Sequence, residues 1–462
     1  MSKRPNIIFL IADDHRYDVI HAFGNQQVQT PVLDSLAERG VSFRRAYTMG
    51  GMTGAVCVPS RAALHTGTHP FRASIHPVVS DGPGSLTLNP QLAMLPATLR
   101  AAGYHTHAVG KWHNDKQSFT RGFVSGSRIF FGGMADQWQV PTFDYDPTGQ
   151  YPPTARRIRS QFSSELFADA AIHFLRTYDG AAPYFLYVAF TAPHDPRTAP
   201  AEFAARYDPR RIELPPNFLP EHPFDNGELH VRDEQLAPFP RTPDVLRQHI
   251  ADYYAMVTSM DAEIGRILAA LRERDDREQT IVVYTSDHGL AVGQHGLLGK
   301  QNLYEHSIRV PRIIVGPDLP TGRSCWALTH HADVFPTLCA LTGTPIPASV
   351  EGQSLLPFLS STQEQVWKSI FAVYKDVQRM VSDGEWKVIR YYRSTSQQTG
   401  SDRLQLFHLT EDPWECHDLS EHPEQQERLQ HLLEELALWQ RQLNDPLAAQ
   451  PALIAPASPE ED

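Results

Sequence analysis

Residues 54–67 read GAVCVPSRAALHTG. Ala62, Ala63 and Leu64 favour helix, and Pro59 suits a first turn, where a missing N–H costs nothing. The stretch therefore predicts a helix that opens at or just after Cys57. Backbone N–H groups at such an end attract negative charge. Arg61 stands one helical turn on, on the same face as Cys57. A nucleophile, an anion-seeking helix end and a fixed cation thus fall close together.

Working outward, short apolar runs at Ile7–Ala12, Phe185–Phe190, Ile281–Tyr284 and Ile313–Val315 are rich in β-branched and aromatic residues. They do not alternate, as expected of parallel strands covered on both faces. Helical patterns lie between them: Thr30–Gly40, with Pro near its start and Gly at its stop, then Ala97–Gly103, Ser163–Tyr178 and Val245–Arg274. Strands alternating with helices predict an α/β fold, a mostly parallel sheet flanked by helices. Residues 196–243, dense in Pro, Arg, Asp and Glu, predict a long irregular excursion over the sheet. Beyond about residue 365, SIFAVYKD, RMVSDGEWKVIRYY and RLQLFHL look like antiparallel strands, followed by an amphipathic helix over His422–Asn444. The expected division is a catalytic domain at 1–365, a small C-terminal α+β subdomain with an antiparallel sheet at 366–447, and a disordered tail at 448–462.

The chain has 462 residues, 41% hydrophobic and 20% charged, which is ordinary globular composition. A formal net charge of −12 argues against non-specific nucleic-acid binding, so an anionic ligand needs a local cationic pocket. Four scattered cysteines, Cys57, Cys325, Cys339 and Cys416, are too few for a disulfide framework or a zinc cluster, though a Cys325–Cys339 bridge stays open. The basic start MSKRPNIIFLIADDH has a short apolar run that ends in charge and no small-residue cleavage site, so no signal peptide is expected. No apolar stretch is long enough to span a membrane. The expected location is cytoplasmic, or that of a mature form without its leader.

The strands end in chemistry. IIFLIA runs into Asp13-Asp14, HTHAVG into Lys111-Trp-His113, FLYVAFTAP into His194-Asp195, and TIVVYTS into Asp287-His288. Ligands of α/β sheets bind beyond the carboxyl ends of the strands, so these termini can share one pocket. Paired acids after a strand can equally be a solvated loop or a cap. Together, Asp13, Asp14, Asp287 and His288 offer enough ligands for one divalent cation, and the carboxylates favour Ca²⁺, Mg²⁺ or Mn²⁺. Lys111, Lys300 and Arg61 near that ion would make a cationic pocket suited to a tetrahedral oxyanion, phosphate or sulfate.

CVPSRAALHTG resembles the signature of the sulfatase family, C-x-P-S-R followed by a helix and T-G. RPNIIFLIADDHRYD, TPVLDSLAERGVSF, GKWHND, TAPHDP, TSDHGLAVGQHGLLGK, YEHSIRVP and LFHLTEDPWECHDLS resemble further family segments in family order. The resemblance implies an alkaline-phosphatase-like fold and a sulfuric ester hydrolase. It implies that a formylglycine-generating enzyme oxidises Cys57 to formylglycine, an aldehyde that hydrates. It assigns Asp13, Asp14, Asp287, His288 and one formylglycine oxygen to a metal, most often Ca²⁺. Arg61 would hold the formylglycine. Lys111, His194 and Lys300 would grip the sulfate, with His194 and Lys300 protonating the leaving oxygen. His113 would take a proton from the second hydroxyl, which expels sulfate by C–O cleavage.

The leaving group is less defined. RIFFGGMADQWQVPTFDYDPTGQY has aromatic and polar residues suited to stacking on a ring, so Asp136, Gln137, Trp138 and Arg197 are the outer-pocket candidates. The expected substrate is a sulfated sugar. Alternatives are an aryl or alkyl sulfate, or a phosphonate monoester or phosphodiester.

Overall fold

The computed structural model describes residues 4–75, 86–360, 365–394 and 396–449, so most of the expected tail lies outside the described residues. Its centre is an eight-stranded sheet. In spatial order the strands are Arg323–His330, Val41–Tyr47, Arg309–Val315, Thr280–Ser286, Asn6–Asp13, Tyr184–Pro193, His105–Lys111 and Ser125–Phe130.

Every residue of Asn6–Asp13 is buried, and its side chains divide by parity. Ile7, Phe9 and Ile11 pack on one face against Ala62, Leu64, Leu95, Leu99 and Phe335. Ile8, Leu10 and Ala12 pack on the other against Leu33, Leu36, Leu166, Met256 and Met260. Both faces are covered by helices, which is why the run is apolar throughout rather than alternating. Each such side chain contributes about 1.5–3 kcal/mol by leaving water.

Seven strands run the same way. Arg309–Val315 runs against both its neighbours, which corrects the reading of Ile313–Val315 as a parallel strand. Burial on both faces reports coverage, not direction. After Thr280–Ser286 the chain stays at the carboxyl edge through residue 304, and the short helix Glu305–Ile308 feeds it straight back down the sheet. The segment that builds the site thus forces the reversal.

Four of the expected helices form, at Pro31–Arg39, Leu95–Ala101, Ser163–Thr177 and Pro243–Arg272. The C-terminal strands Ile370–Tyr374, Gln378–Ser382, Trp386–Tyr391 and Arg403–His408 pair antiparallel, and the helix Gln426–Gln442 covers them. Gly50–Gly51, from the N-terminal part, adds a parallel fifth strand at the edge. No disulfide joins Cys57, Cys325, Cys339 or Cys416, so the open Cys325–Cys339 bridge does not form. No described helix is long and apolar enough to cross a membrane.

One ion pair ties the turn just after the last helix to this sheet. Arg379 and Asp445 are fully buried, with Nε–Oδ2 2.6 Å and Nη2–Oδ1 2.8 Å. Burial alone would raise the Asp445 pKa, but the hydrogen bonds and charge of Arg379 hold it below the ordinary carboxylate value. Asp445→Ala leaves a buried guanidinium without its counter-ion and is expected to cost about 3–5 kcal/mol in urea unfolding. Because the folded pKa is depressed, the stabilisation is present above about pH 3.9 and fades as pH falls through the folded value. The gap between wild type and variant should therefore narrow in acid.

Candidate active site and metal centre

The helix predicted from the opening stretch runs from Cys57 to Thr66, with Cys57 as its first residue. Gly67 ends it in the left-handed region (φ 66°), donating its N–H to Ala63 O. The helix end points at the carboxyl edge of the sheet, where the central strands deliver their polar termini. Asp14 and His113 each follow a strand and both sit at positive φ, 71° and 50°. Such strained positions turn the chain sharply and gather at functional sites. Gly110 precedes Lys111 at φ 87°, and a Cβ there would lie 1.9 Å from Ala189 O, so only glycine lets the two strands approach.

Four ligand atoms, from Asp13, Asp14, Cys57 and Asp287, lie within 4.8 Å of one another, all buried. Cys57 Sγ is 3.4 Å from Asp13 Oδ1 and 3.8 Å from Asp14 Oδ1. Cations interleave them. Lys300 Nζ is 2.7 Å from both Asp14 oxygens and 2.8 Å from Cys57 Sγ. Lys111 Nζ donates to an Asp13 oxygen and to Gly133 O. Arg61 Nε donates to Asp287 Oδ2 at 2.8 Å, and Nη1 to Lys111 O at 3.0 Å. His194 Nε2 is 3.6 Å from Asp14 Oδ2, while Nδ1 is fixed 2.8 Å from Asp195 O.

Burial holds Asp13 above the ordinary carboxylate range and lifts Asp14 to about 6, although lysines sit on both. Burial would raise Asp287 too, but Arg61, Lys111 and Lys300 pull it well below. Burial, then the Asp287 charge, pushes the Cys57 thiol well up, so an unmodified thiolate is disfavoured here. Burial, then Lys111 and Arg61, keeps His113 neutral, with its pKa well below the usual value.

The donor set fits a hard divalent ion. Three carboxylates, from Asp13, Asp14 and Asp287, converge beside Cys57 with ligand atoms within 4.8 Å of one another, an oxygen-rich set of the kind such ions take. Arg61 Nη2 and His113 Nδ1 are buried without hydrogen-bond partners among the described residues. Both are donors or acceptors left over for a group seated at Cys57.

Above the cluster opens a cavity of about 310 Å³, lined by Cys57, His113, Met134, His194, Arg232, Asp233, Lys300 and Gln301, among others. Cys57, His113, His194 and Lys300 reach it from the expected set. Asp13, Asp14, Asp287, Arg61 and Lys111 lie around Cys57. His288 is buried with Nδ1 2.9 Å from Gly289 O, and its ring is outside the four-ligand group.

The outer-pocket candidates do not line this cavity. Gln137 is buried, bracing the His194 carbonyl from behind (2.9 Å). Asp136 is exposed and accepts from Trp138 N, and Trp138 packs edge-on against Phe162. Arg197 turns aside to His249 Nδ1 (3.0 Å) and Leu298 O. The aromatic stretch was read for ring stacking, but its rings serve the packing of their own loop. The rim instead uses Arg232 and Asp233 from the irregular excursion, which carry no motif, and Gln301, whose only signal is its place beside Lys300.

A second buried group, His295, His306 and Glu415, also has metal-compatible spacing. Lys387 Nζ already sits 2.7 Å from Glu415 Oε1, so a cation occupies that carboxylate.

A doubly covered α/β sheet with clustered carboxylates and cations at its carboxyl edge defines a hydrolase site built for a tetrahedral oxyanion. The comparisons agree. Residues 5–344 match the sulfatase family, and residues 293–442 match the C-terminal region of N-sulphoglucosamine sulphohydrolase. The chain belongs to the sulfatase family, the sulfuric ester hydrolases of the alkaline-phosphatase-like superfamily. It is 26% identical to an N-acetylglucosamine-6-O-sulfatase of Bacteroides thetaiotaomicron, covering 94% of this chain and 86% of the relative. It is 27% identical to arylsulfatase K of Danio rerio, covering 90% and 80%. A structure solved with D-glucosamine-2-N,6-O-disulfate superposes with a TM-score of 0.78 at 23% identity, covering 97% of this chain and all of the other. The phosphonate monoester hydrolase of Agrobacterium radiobacter superposes at 0.74 and 22%, covering 95% and 96%.

Proposed function

We propose that the chain removes sulfate from a sulfated sugar, a glucosamine sulfate first, using formylglycine made from Cys57 by a formylglycine-generating enzyme. The observation that carries the chemistry is Cys57 itself: first in its helix, at the cavity floor, with Lys300 and three carboxylates around it. The sugar is supported by the name of the N-acetylglucosamine-6-O-sulfatase relative and by the similar structure solved with a glucosamine disulfate as its substrate. The cavity is at the small end of ligand pockets, which suits one ring. We keep the division into a catalytic domain over 1–365 and a subdomain over 366–447.

Asp13, Asp14, Asp287 and the residue at 57 would hold one divalent ion, with Ca²⁺ first and Mg²⁺ or Mn²⁺ behind it, and His288 beside them. Bound there, such an ion supplies positive charge for an anionic substrate and lowers the pKa of a coordinated hydroxyl. The hydrated aldehyde supplies two hydroxyls, one to attack sulfur and one to expel sulfate.

The chain's own residues do the rest. Lys300 presents a fixed ammonium group to the sulfate oxygens at the cavity, and Lys111 adds positive charge beside Asp13 from just behind it. Asp195 O holds His194 by Nδ1, so Nε2 faces the pocket. Burial and the lysines keep its pKa low in the empty site; an arriving sulfate ester offsets that charge and lets Nε2 carry a proton to the leaving oxygen. His113, neutral and unpartnered at Nδ1, is the base for the second hydroxyl. Arg61 anchors Asp287 and keeps Nη2 for the residue at 57.

One observation favours a second reading. A multifunctional alkaline phosphatase superfamily protein of Trinickia caryophylli is 28% identical over 79% of both chains. With the fold shared by a phosphonate monoester hydrolase, phosphonate monoesters and phosphodiesters are the competing substrates. The test is product release from sulfated glucosamines, an aryl sulfate, a phosphonate monoester and a phosphodiester, using protein co-produced with the maturation enzyme. We expect kcat/KM on a glucosamine sulfate to exceed that on either phosphorus ester by at least about 100-fold, or about 2.7 kcal/mol. A phosphorus ester turned over faster would replace the proposal.

A further inference from the structure

The cavity floor is accounted for by the sulfate group, but one side of the rim is not. Arg232 opens the turn Arg232–Leu236, and its side chain is 44% exposed at the cavity. It donates twice to the Asp195 carboxylate (Nη2–Oδ1 3.0 Å) and once to Asp233 Oδ1 (2.5 Å). A guanidinium has five N–H donors. Nε–H and one Nη1–H therefore have no partner among the described residues.

Asp233 is braced from the other side. Its Oδ2 accepts from Gln301 Nε2 at 2.8 Å, and the same Nε2 lies 3.1 Å from Gly54 O. Gly54 belongs to the loop that leads into Cys57, and Gln301 follows Lys300. The rim is thus held in register with the reacting groups, not hung on a free loop. Arg232 faces both carboxylates, and Arg197 and Lys300 also stand near them, so the rim carries no surplus of negative charge. It offers donors and acceptors together, the pattern that suits hydroxyls.

Resting on the sugar reading, we infer that Arg232 and Asp233 form the leaving-group subsite, donating to and accepting from hydroxyls of the sugar. A different role is open to Arg232 through Asp195, whose Oδ1 lies 3.3 Å from His194 Nδ1. The two roles separate by substrate.

The experiment measures kcat/KM of wild type, Arg232→Ala and Asp233→Asn on glucosamine 6-sulfate, glucosamine 2-N,6-O-disulfate and a small aryl sulfate without hydroxyls. In both variants the ratio of the better sugar's activity to aryl sulfate activity should fall about 10- to 100-fold, as for hydrogen bonds to charged groups. Equal losses on sugar and aryl sulfate would make Arg232 a positioning residue and overturn the inference, as would unchanged ratios. Wild type active on the aryl sulfate but on neither sugar would sink the sugar reading itself, and the subsite with it.

Discussion

Cys57→Ala should release sulfate more slowly than the matured wild type by more than about 10⁴-fold, the scale of losing a nucleophile from an intact site. The fold should tolerate the change. Position 57 is the first residue of a helix, alanine favours helix, and the lost atom is one sulfur. Lys300 keeps both Asp14 contacts without the thiol, and Asp13 keeps Lys111. What disappears is the thiol proposed to become the aldehyde. Urea unfolding within about 1 kcal/mol of wild type would show that the site and not the fold has been lost. Retained turnover in a well-folded variant would remove Cys57 from the reaction.

Asp287→Asn should strip the metal. Wild type is expected to hold one divalent ion per chain by elemental analysis, and the variant less than about a tenth of that, since one of three charged oxygen ligands is gone. Turnover should fall about 10³-fold with it. Asp287 also accepts from Arg61 Nε and Asp14 N, so the variant will lose some stability. Metal content of the folded fraction is the deciding readout. A full equivalent of bound ion in Asp287→Asn would place the metal elsewhere.

Legibility differed between the parts of this site for physical reasons. Strand ends announce themselves, because a run such as IIFLIA must be buried and the Asp13-Asp14 that follows cannot be buried cheaply without partners. The Cys57 helix was legible from Pro59 and its alanines, but the aldehyde was not; only the family resemblance supplied it. Ile313–Val315 was visible as a strand yet misread in direction, since an apolar run covered on both faces looks the same either way. The rim was invisible. Arg232 and Asp233 lie in an excursion whose course depends on tertiary bonds to Asp195 and Gln301, and no local pattern encodes those. Trp138 and Arg197 were attractive by residue type and turn out to serve packing and a hydrogen bond to His249.

In the proposed mechanism an oxidised Cys57, seated among these carboxylates and cations, performs the hydrolysis. The most direct test prepares protein batches with graded exposure to the maturation enzyme. The converted fraction is read from the mass of the Cys57 peptide, which loses H₂S and gains O. Sulfate release per chain is then measured on one sulfated sugar. Turnover should rise with the converted fraction in a straight line through the origin; turnover that stays constant while that fraction falls towards zero would contradict a role for oxidised Cys57.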